Sequence, residues 1–370
     1  MKVLEVCAKL NIGGAQLFAA NIAKYADPSM EFCYLVFGPE EGEYEAGIRK
    51  GHPHNRIIHI DPPDRNYFRF VFFLVRLIRK ERFDAVHAHT MFNCGLVMLA
   101  ARLAGAPGRI SHSHTVKDDS GNGFSRRLYK AVMRLLIREN ATDFCACGYE
   151  AGAALYGKDW FQRHGTVIRN GIDVEAFRFS EDNRLRVRRR YGVEDRFVIG
   201  HVGHYVKVKN QEYLIRLMPG ILKKQQNAVL LLFGDGSERS GLEALIQSEN
   251  LSGSVRLMGN VSNVGEILSG FDVFAFPSLY EGTPLSLIEA QTNGLPCVIS
   301  DRIPGDACIT SRITRLSLTD SESEWVKCIL SARRNENDAS AYEVTRKYGS
   351  VESTMEELYA LFRKYEREHR

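Results

Sequence analysis

The chain has 370 residues, of which 44% are apolar and 25% charged, with a formal net charge of +4. That length suits two domains of about 150–200 residues each. The balance excludes a disordered, collagenous or disulfide-stapled protein, and the mild charge does not by itself point to nucleic acid.

Met1-Lys2-Val3-Leu4 opens a first strand rather than a signal peptide, since Glu5 and Lys9 follow at once. Asn11-Ile12-Gly13-Gly14-Ala15-Gln16 then links that strand to a first helix. It is not a G-x-G-x-x-G fingerprint, which argues against a dinucleotide. The longest apolar run, Tyr67 to Ile78, is interrupted by Arg69 and Arg76. It falls short of the roughly 20 apolar residues that cross a bilayer. The expected location is therefore the cytoplasm. The eight cysteines form no C-x-x-C, and Cys145 and Cys147 are their one close pair. They read as buried thiols, with no metal site.

Short β-rich runs alternate with helical patterns. In the first half they are Val3–Ala8, Phe32–Phe37, Arg56–Ile60, Ala85–His89, Arg109–His114, Asp143–Cys147 and Thr166–Arg169. In the second half they are Phe197–Val202, Ala228–Phe233, Val255–Met258, Val273–Phe276 and Cys297–Ser300. This is the βαβ pattern of a parallel sheet covered on both faces. The expectation is an α/β protein of two doubly wound, Rossmann-like domains facing each other across a cleft. Asn170-Gly171 and the charged stretch Glu181–Arg190 mark the boundary. The first domain is expected over 1–175 and the second over 196–349. Val351, Met355, Leu358 and Phe362 share one helix face behind Ser350 as N-cap. That helix, within 350–370, is expected to pack back on the first domain.

Two histidine pairs end neighbouring strands: His87-Ala88-His89 and His112-Ser113-His114. Members of each pair share a strand face. His87 and His112 read as core residues, while His89 and His114 lie nearest the carboxyl ends, where ligands bind. No acidic or cysteine ligand accompanies them at a familiar spacing, so no metal is expected.

Gly200-His201-Val202-Gly203-His204-Tyr205-Val206-Lys207-Val208-Lys209 follows the first strand of the second half. Glycines and lysines at a strand end suit phosphate. Further on, Glu281-Gly282-Thr283-Pro284-Leu285 leads into a helix, with Thr283 as N-cap, Pro284 as first helical residue and Gly294 as terminator. Glu281 then precedes the helix and Glu289 lies inside it, about 7.5 Å along its axis from Pro284. That separation suits a clamp on an extended polar ligand, while the helix N-terminus offers N–H groups to a diphosphate.

Taken together, these segments resemble glycosyltransferase family 4, whose members have the GT-B fold. The matches run along nearly the whole chain: Gly13-Gly14, Asp84-Ala85-Val86-His87-Ala88-His89, Ser111-His112-Ser113-His114, Asn170-Gly171-Ile172-Asp173, Lys209-Asn210, Gly234-Asp235-Gly236 and Glu281…Glu289. Ser111–Thr115 and Gly200–Gln211 look most like the exopolysaccharide and capsule branch. The resemblance implies retaining transfer from a nucleotide-diphosphate sugar, UDP-linked in that branch, with no cofactor. By position it assigns Glu281 to the sugar hydroxyls, Glu289 to the ribose, Gly282, Thr283, Pro284 and Leu285 to the sugar and diphosphate, and Lys209 to the leaving group. Gly203 belongs to the same donor site. His114 is assigned to the reacting sugar and Gly14 to the donor phosphate and acceptor.

His204 stands where relatives usually carry arginine, so Lys207 or a protonated His204 is expected to supply the missing charge. The acceptor, a glycan or polyprenyl-diphosphate-linked glycan, is expected on the first domain. There Tyr67–Phe83 and Gly123–Asn140 mix arginines with apolar residues, as suits the inner face of an anionic membrane. No aromatic platform for nucleic acid accompanies them. The rival readings are a non-catalytic GT-B scaffold that binds nucleotide sugar or glycan, and a GT-B epimerase or phosphorylase.

Overall fold

The computed structural model describes residues 1–11, 13–51, 54–62, 66–115, 123–282, 284–334 and 340–367. The chain divides into two compact units, Met1–Gly171 with Val351–Arg370, and Ile172–Ser350.

The first unit is built on seven parallel strands: β1 (Lys2–Cys7), β2 (Glu31–Phe37), β3 (Arg56–Ile60), β4 (Ala85–Ala88), β5 (Gly108–Ser113), β6 (Asp143–Ala146) and β7 (Gly165–Val167). Their order is β3-β2-β1-β4-β5-β6-β7, so the winding reverses between β1 and β4. Ligands of such sheets bind at the carboxyl ends beside that reversal. Residues of β1 alternate between two cores. Leu4 and Val6 face one, and Val3 and Cys7 the other. The second core is closed by the C-terminal helix Val351–Arg363, whose Val351, Met355, Leu358 and Phe362 are all buried.

The second unit carries β8 (Phe197–Val202), β9 (Ala228–Phe233), β10 (Val255–Gly259), β11 (Val273–Phe276), β12 (Cys297–Ser300) and β13 (Ile313–Leu316). The order β10-β9-β8-β11-β12-β13 reverses between β8 and β11. Strand β13 has no counterpart in the sequence reading. It is an edge strand with no fully buried residue, so it lacks the apolar run that betrays its neighbours.

The unit also begins earlier than residue 196. The charged helix Glu181–Tyr191 belongs to it and is held by ion pairs in place of an apolar stripe. Arg184 and Arg188 both reach Asp272, at 2.6 and 3.2 Å, and Arg188 also donates to the Gly270 carbonyl. Asp272 in turn accepts from the Val198 amide at the start of β8, at 2.7 Å. The eight cysteines, all among the described residues, form no disulfide.

Candidate functional site

In the second unit, the reversal between β8 and β11 places two loops side by side. One leaves β8 through Gly203 and turns into a short helical segment, Lys207–Lys209. Asn210 ends that turn in a left-handed conformation, and its amide donates to the Pro277 carbonyl at 3.1 Å. The other loop leaves β11, and its Leu279 N–H donates to the Val208 carbonyl at 2.8 Å. A third strand end braces the first loop. A Cβ on Gly234 (φ +140°) would lie 2.1 Å from the Gly203 carbonyl oxygen, so this approach admits only glycine.

The stitched loops bring Lys209 and Glu281 together. Lys209 Nζ donates to Glu281 Oε1 at 2.7 Å and lies 5.0 Å from the centre of the Phe276 ring. Both side chains are largely shielded, at 17% and 10% exposure, which strengthens the pair over a surface one. Beneath them His201 is fully buried, with Nδ1 3.0 Å from the Ala275 carbonyl. Desolvation pulls its pKa down to about 4, so it adds no second positive charge.

The helix after β11 runs Leu285–Thr292, with Pro284 as its cap. Thr283, expected as the N-cap, lies outside the described residues. Pro284 is thus the residue before the first helical one, a shift of one position. Gly294 adopts the left-handed conformation beyond the end. Glu289 lies inside this helix, is partly buried, and makes no side-chain hydrogen bond or ion pair among the described residues. Burial alone pushes its carboxyl up to about 7. A carboxyl left without an internal donor is suited to accept one from a ligand. His204 and Lys207 are exposed.

In the first unit, His87 and His112 are fully buried in β4 and β5, while His89 and His114, just beyond the strand ends, are partly buried. They converge on Glu5, the register partner of His87 on β1. His87 Nδ1 lies 3.0 Å and His89 Nε2 2.9 Å from Glu5 Oε2. His87 Nε2 meets His112 Nδ1 at 3.1 Å, and His89 Nδ1 meets His114 Nε2 at 2.8 Å. Phe18 and Phe362 wall the group, their ring centres 4.9 Å from His112 and 5.4 Å from His87. Burial alone would raise the Glu5 carboxyl, but the charge and N–H groups of His87 and His89 outweigh it and hold the pKa at about 2. Burial and neighbouring imidazoles push His89 down to about 4, and His112 and His114 well down. Nitrogens of His87, His89 and His112 fall within 4.8 Å of one another, a spacing one ion could span. Glu5 was missed because a lone glutamate in a first strand carries no spacing signal.

Gly13 precedes the first helix, Gly14–Lys24. A Cβ on Gly13 would fall 2.4 Å from Gln16 Oε1.

Comparison with known proteins agrees with this architecture. The Glycosyltransferase Family 4 model matches residues 12–176, and the model for Glycosyl transferases group 1 matches residues 183–336. The chain is 36% identical over 338 residues to the protein named "Putative glycosyltransferase EpsF" of Bacillus subtilis, covering 90% of this chain and 87% of that one. It is 31% identical over 244 residues to an Escherichia coli UDP-Gal:alpha-D-GlcNAc-diphosphoundecaprenol alpha-1,3-galactosyltransferase, covering 64% and 62% of the two chains. Among solved structures, Anabaena HepE in complex with UDP superimposes with a TM-score of 0.82 at 18% identity, over 98% of this chain and 100% of that one. The chain therefore belongs to glycosyltransferase family 4 and is a two-domain transferase of the GT-B type.

Proposed function

We propose that the protein transfers a sugar, with retention, from a UDP-sugar to a polyprenyl-diphosphate-linked glycan. The observation that carries this reading is the Lys209–Glu281 pair beside a helix whose Glu289 carboxyl has no partner among the described residues. Breaking the sugar–phosphate bond builds negative charge on the leaving oxygen. Lys209 and the backbone N–H groups of Gly282 and Leu285 are in place before that charge develops. Glu281 then accepts from sugar hydroxyls and Glu289 from the ribose. On the first unit, Gly14 and His114 are read as substrate contacts. HepE was crystallised with UDP, and the E. coli relative is named for a diphosphoundecaprenol acceptor; both support the choice of substrates.

With lysine as the counter-charge, the donor chemistry needs no metal, and a chelator should leave turnover unchanged. The decisive assay incubates the protein with a panel of UDP-, GDP- and TDP-sugars and follows thermal stabilisation and sugar release. Stabilisation by a UDP-sugar, with release abolished by Glu281→Ala, is the expected result. Stabilisation by none of the nucleotides would refute the reading.

The acceptor's lipid implies a bilayer. Three helices of the first unit pack side by side, Tyr67–Glu81, Cys94–Ala104 and Phe124–Asn140. They leave Phe68, Phe72, Leu103, Phe124, Leu128 and Leu135 exposed, Phe68 to 91%. Arg69, Arg76, Lys80 and Arg127 are also exposed on these helices. We read this as a surface docked on anionic lipid. Arg134 and Arg138, expected in the same role, are instead bonded to the carbonyls of Leu155 and Tyr156 at 2.9 and 3.1 Å. No helix among the described residues is long and apolar enough to cross a membrane.

A further inference from the structure

Glu5 is a fully buried carboxylate whose ion-pair partners are imidazoles. His87 and His89 reach it at 3.0 and 2.9 Å, and among the described residues no lysine or arginine pairs with it. Cys7 and Tyr34 also feel its charge, and burial keeps that thiol and that phenol protonated. A carboxylate taken out of water needs compensating charge close by.

The rings around it are oriented from outside. A carboxylate only accepts, so His87 Nδ1–H and His89 Nε2–H are the groups that face Glu5. His112 is held on its far side by the Ile168 backbone. The nitrogens left to face inward are His87 Nε2, His89 Nδ1 and His112 Nδ1, the first and last 3.1 Å apart. One nitrogen from each of the three rings lies within 4.8 Å of the others. Nitrogens bound at about 2.0–2.1 Å to a tetrahedral ion stand roughly 3.4 Å apart, which those two distances bracket. An outer N–H resting on a carboxylate or a carbonyl is also how metal-binding imidazoles are aimed.

Extra protons are the other source of positive charge. Burial and neighbouring imidazoles oppose them on His89 and His112. A bound ion supplies the charge at one point, displaces any proton on the inner nitrogens and leaves every outer N–H on its acceptor. Imidazole donors without thiolate suit zinc among the first-row metals.

We propose that His87, His89 and His112 bind one divalent metal ion, zinc, with Glu5 as the carboxylate that orients two of the three ligands. The ion ties β1, β4 and β5 together and is structural. His114 approaches His89 at 2.8 Å but lies outside the group that one ion spans. The sequence expectation of no metal rested on spacing along the chain, whereas Glu5 and His112 join the site through strand pairing. The donor chemistry of the second unit does not use this ion. His87 and His112 are fully buried, so a chelator captures the ion only when the unit opens, and turnover of the native enzyme is unaffected by it. The proposal rests on the first unit alone and not on the reading of the donor.

The test is elemental analysis of the full-length, untagged protein, expressed with added zinc and passed over a chelating resin. One zinc ion per chain is expected. X-ray absorption at the zinc edge should show nitrogen ligands at about 2.0–2.1 Å and no sulfur at about 2.3 Å. Protein unfolded and refolded in chelator should melt at least about 5 °C lower and recover with one equivalent of Zn2+ but not of Mg2+. Protein that neither carries zinc nor takes it up on refolding overturns the site, and so does a sulfur-containing shell. His112→Gln should lose the ion; a folded His112→Gln protein that keeps it overturns the ligand set. Where that variant fails to fold, the absorption spectrum of the wild type decides alone.

Discussion

Glu5 and Glu289 are both shielded carboxylates in doubly wound units, and their surroundings drive them in opposite directions. Glu5 receives two imidazole N–H groups and is held at about 2, whereas Glu289 receives no donor among the described residues and is pushed to about 7. The difference separates two uses of a buried acid. One is satisfied within the protein and organises its neighbours; the other is left short of donors that a ligand can bring. The same contrast appears in the cations. Lys209 is held at a site edge by one partner, while Arg188 is spent on Asp272 and backbone carbonyls.

Removing the two acids should therefore have unlike effects. Glu5→Ala leaves two N–H groups facing a hole and should cost about 3–5 kcal/mol of stability, read by chemical denaturation. A loss under about 1 kcal/mol would mean the array relaxes freely. Lys209→Ala should lower turnover by about 10²-fold with little change in melting temperature, the mark of charge stabilised in the transition state. If instead the melting temperature drops and turnover does not, Lys209 is structural, like Arg188.

Their pH dependences should have opposite signs. Relative to the ordinary value of 4.5, the Glu5 carboxyl is depressed in the folded state. Its stabilisation is present above about pH 4.5 and is lost as pH falls towards 2. The Glu289 carboxyl is raised from 4.5 to about 7, so the folded state is penalised once it ionises. Glu289→Gln should therefore match the wild type near pH 4 and exceed it by roughly 1–3 kcal/mol at pH 8. The same variant should weaken UDP-sugar binding by about tenfold, since an amide oxygen accepts from ribose hydroxyls less strongly than a carboxylate. Equal stability profiles for wild type and Glu289→Gln would break the comparison. Smallest of all, Phe68→Ser with Phe72→Ser should reduce flotation with phosphatidylglycerol vesicles several-fold and leave the melting temperature within about 1 °C.

Much of this was legible in the sequence. The sheet core was, because Ala228–Phe233 and Val273–Phe276 are continuous apolar runs that only a doubly covered strand explains. The placement of Glu281 before a helix and Glu289 within it followed from Pro284 and Gly294, whose backbone limits are local. What escaped depends on contacts between distant residues. Nothing near Glu5 announces that residues 87 and 89 will bond to it. The helix Glu181–Tyr191 reads in the sequence only as a charged stretch at the domain boundary, because its anchors are arginine–aspartate pairs across more than eighty residues, which leave no periodic signature. Strand β13 escaped because half-exposed edge strands need no apolar run.

The apolar stripe on the first unit also bears on handling the protein. Phe68, Phe72, Phe124 and Leu135 are exposed on packed helices among the described residues. In dilute buffer such a face finds another copy of itself, so the purified enzyme should self-associate reversibly as concentration rises. Mild detergent should return it to single chains. Activity measured without a bilayer or detergent would then fall with enzyme concentration rather than scale with it.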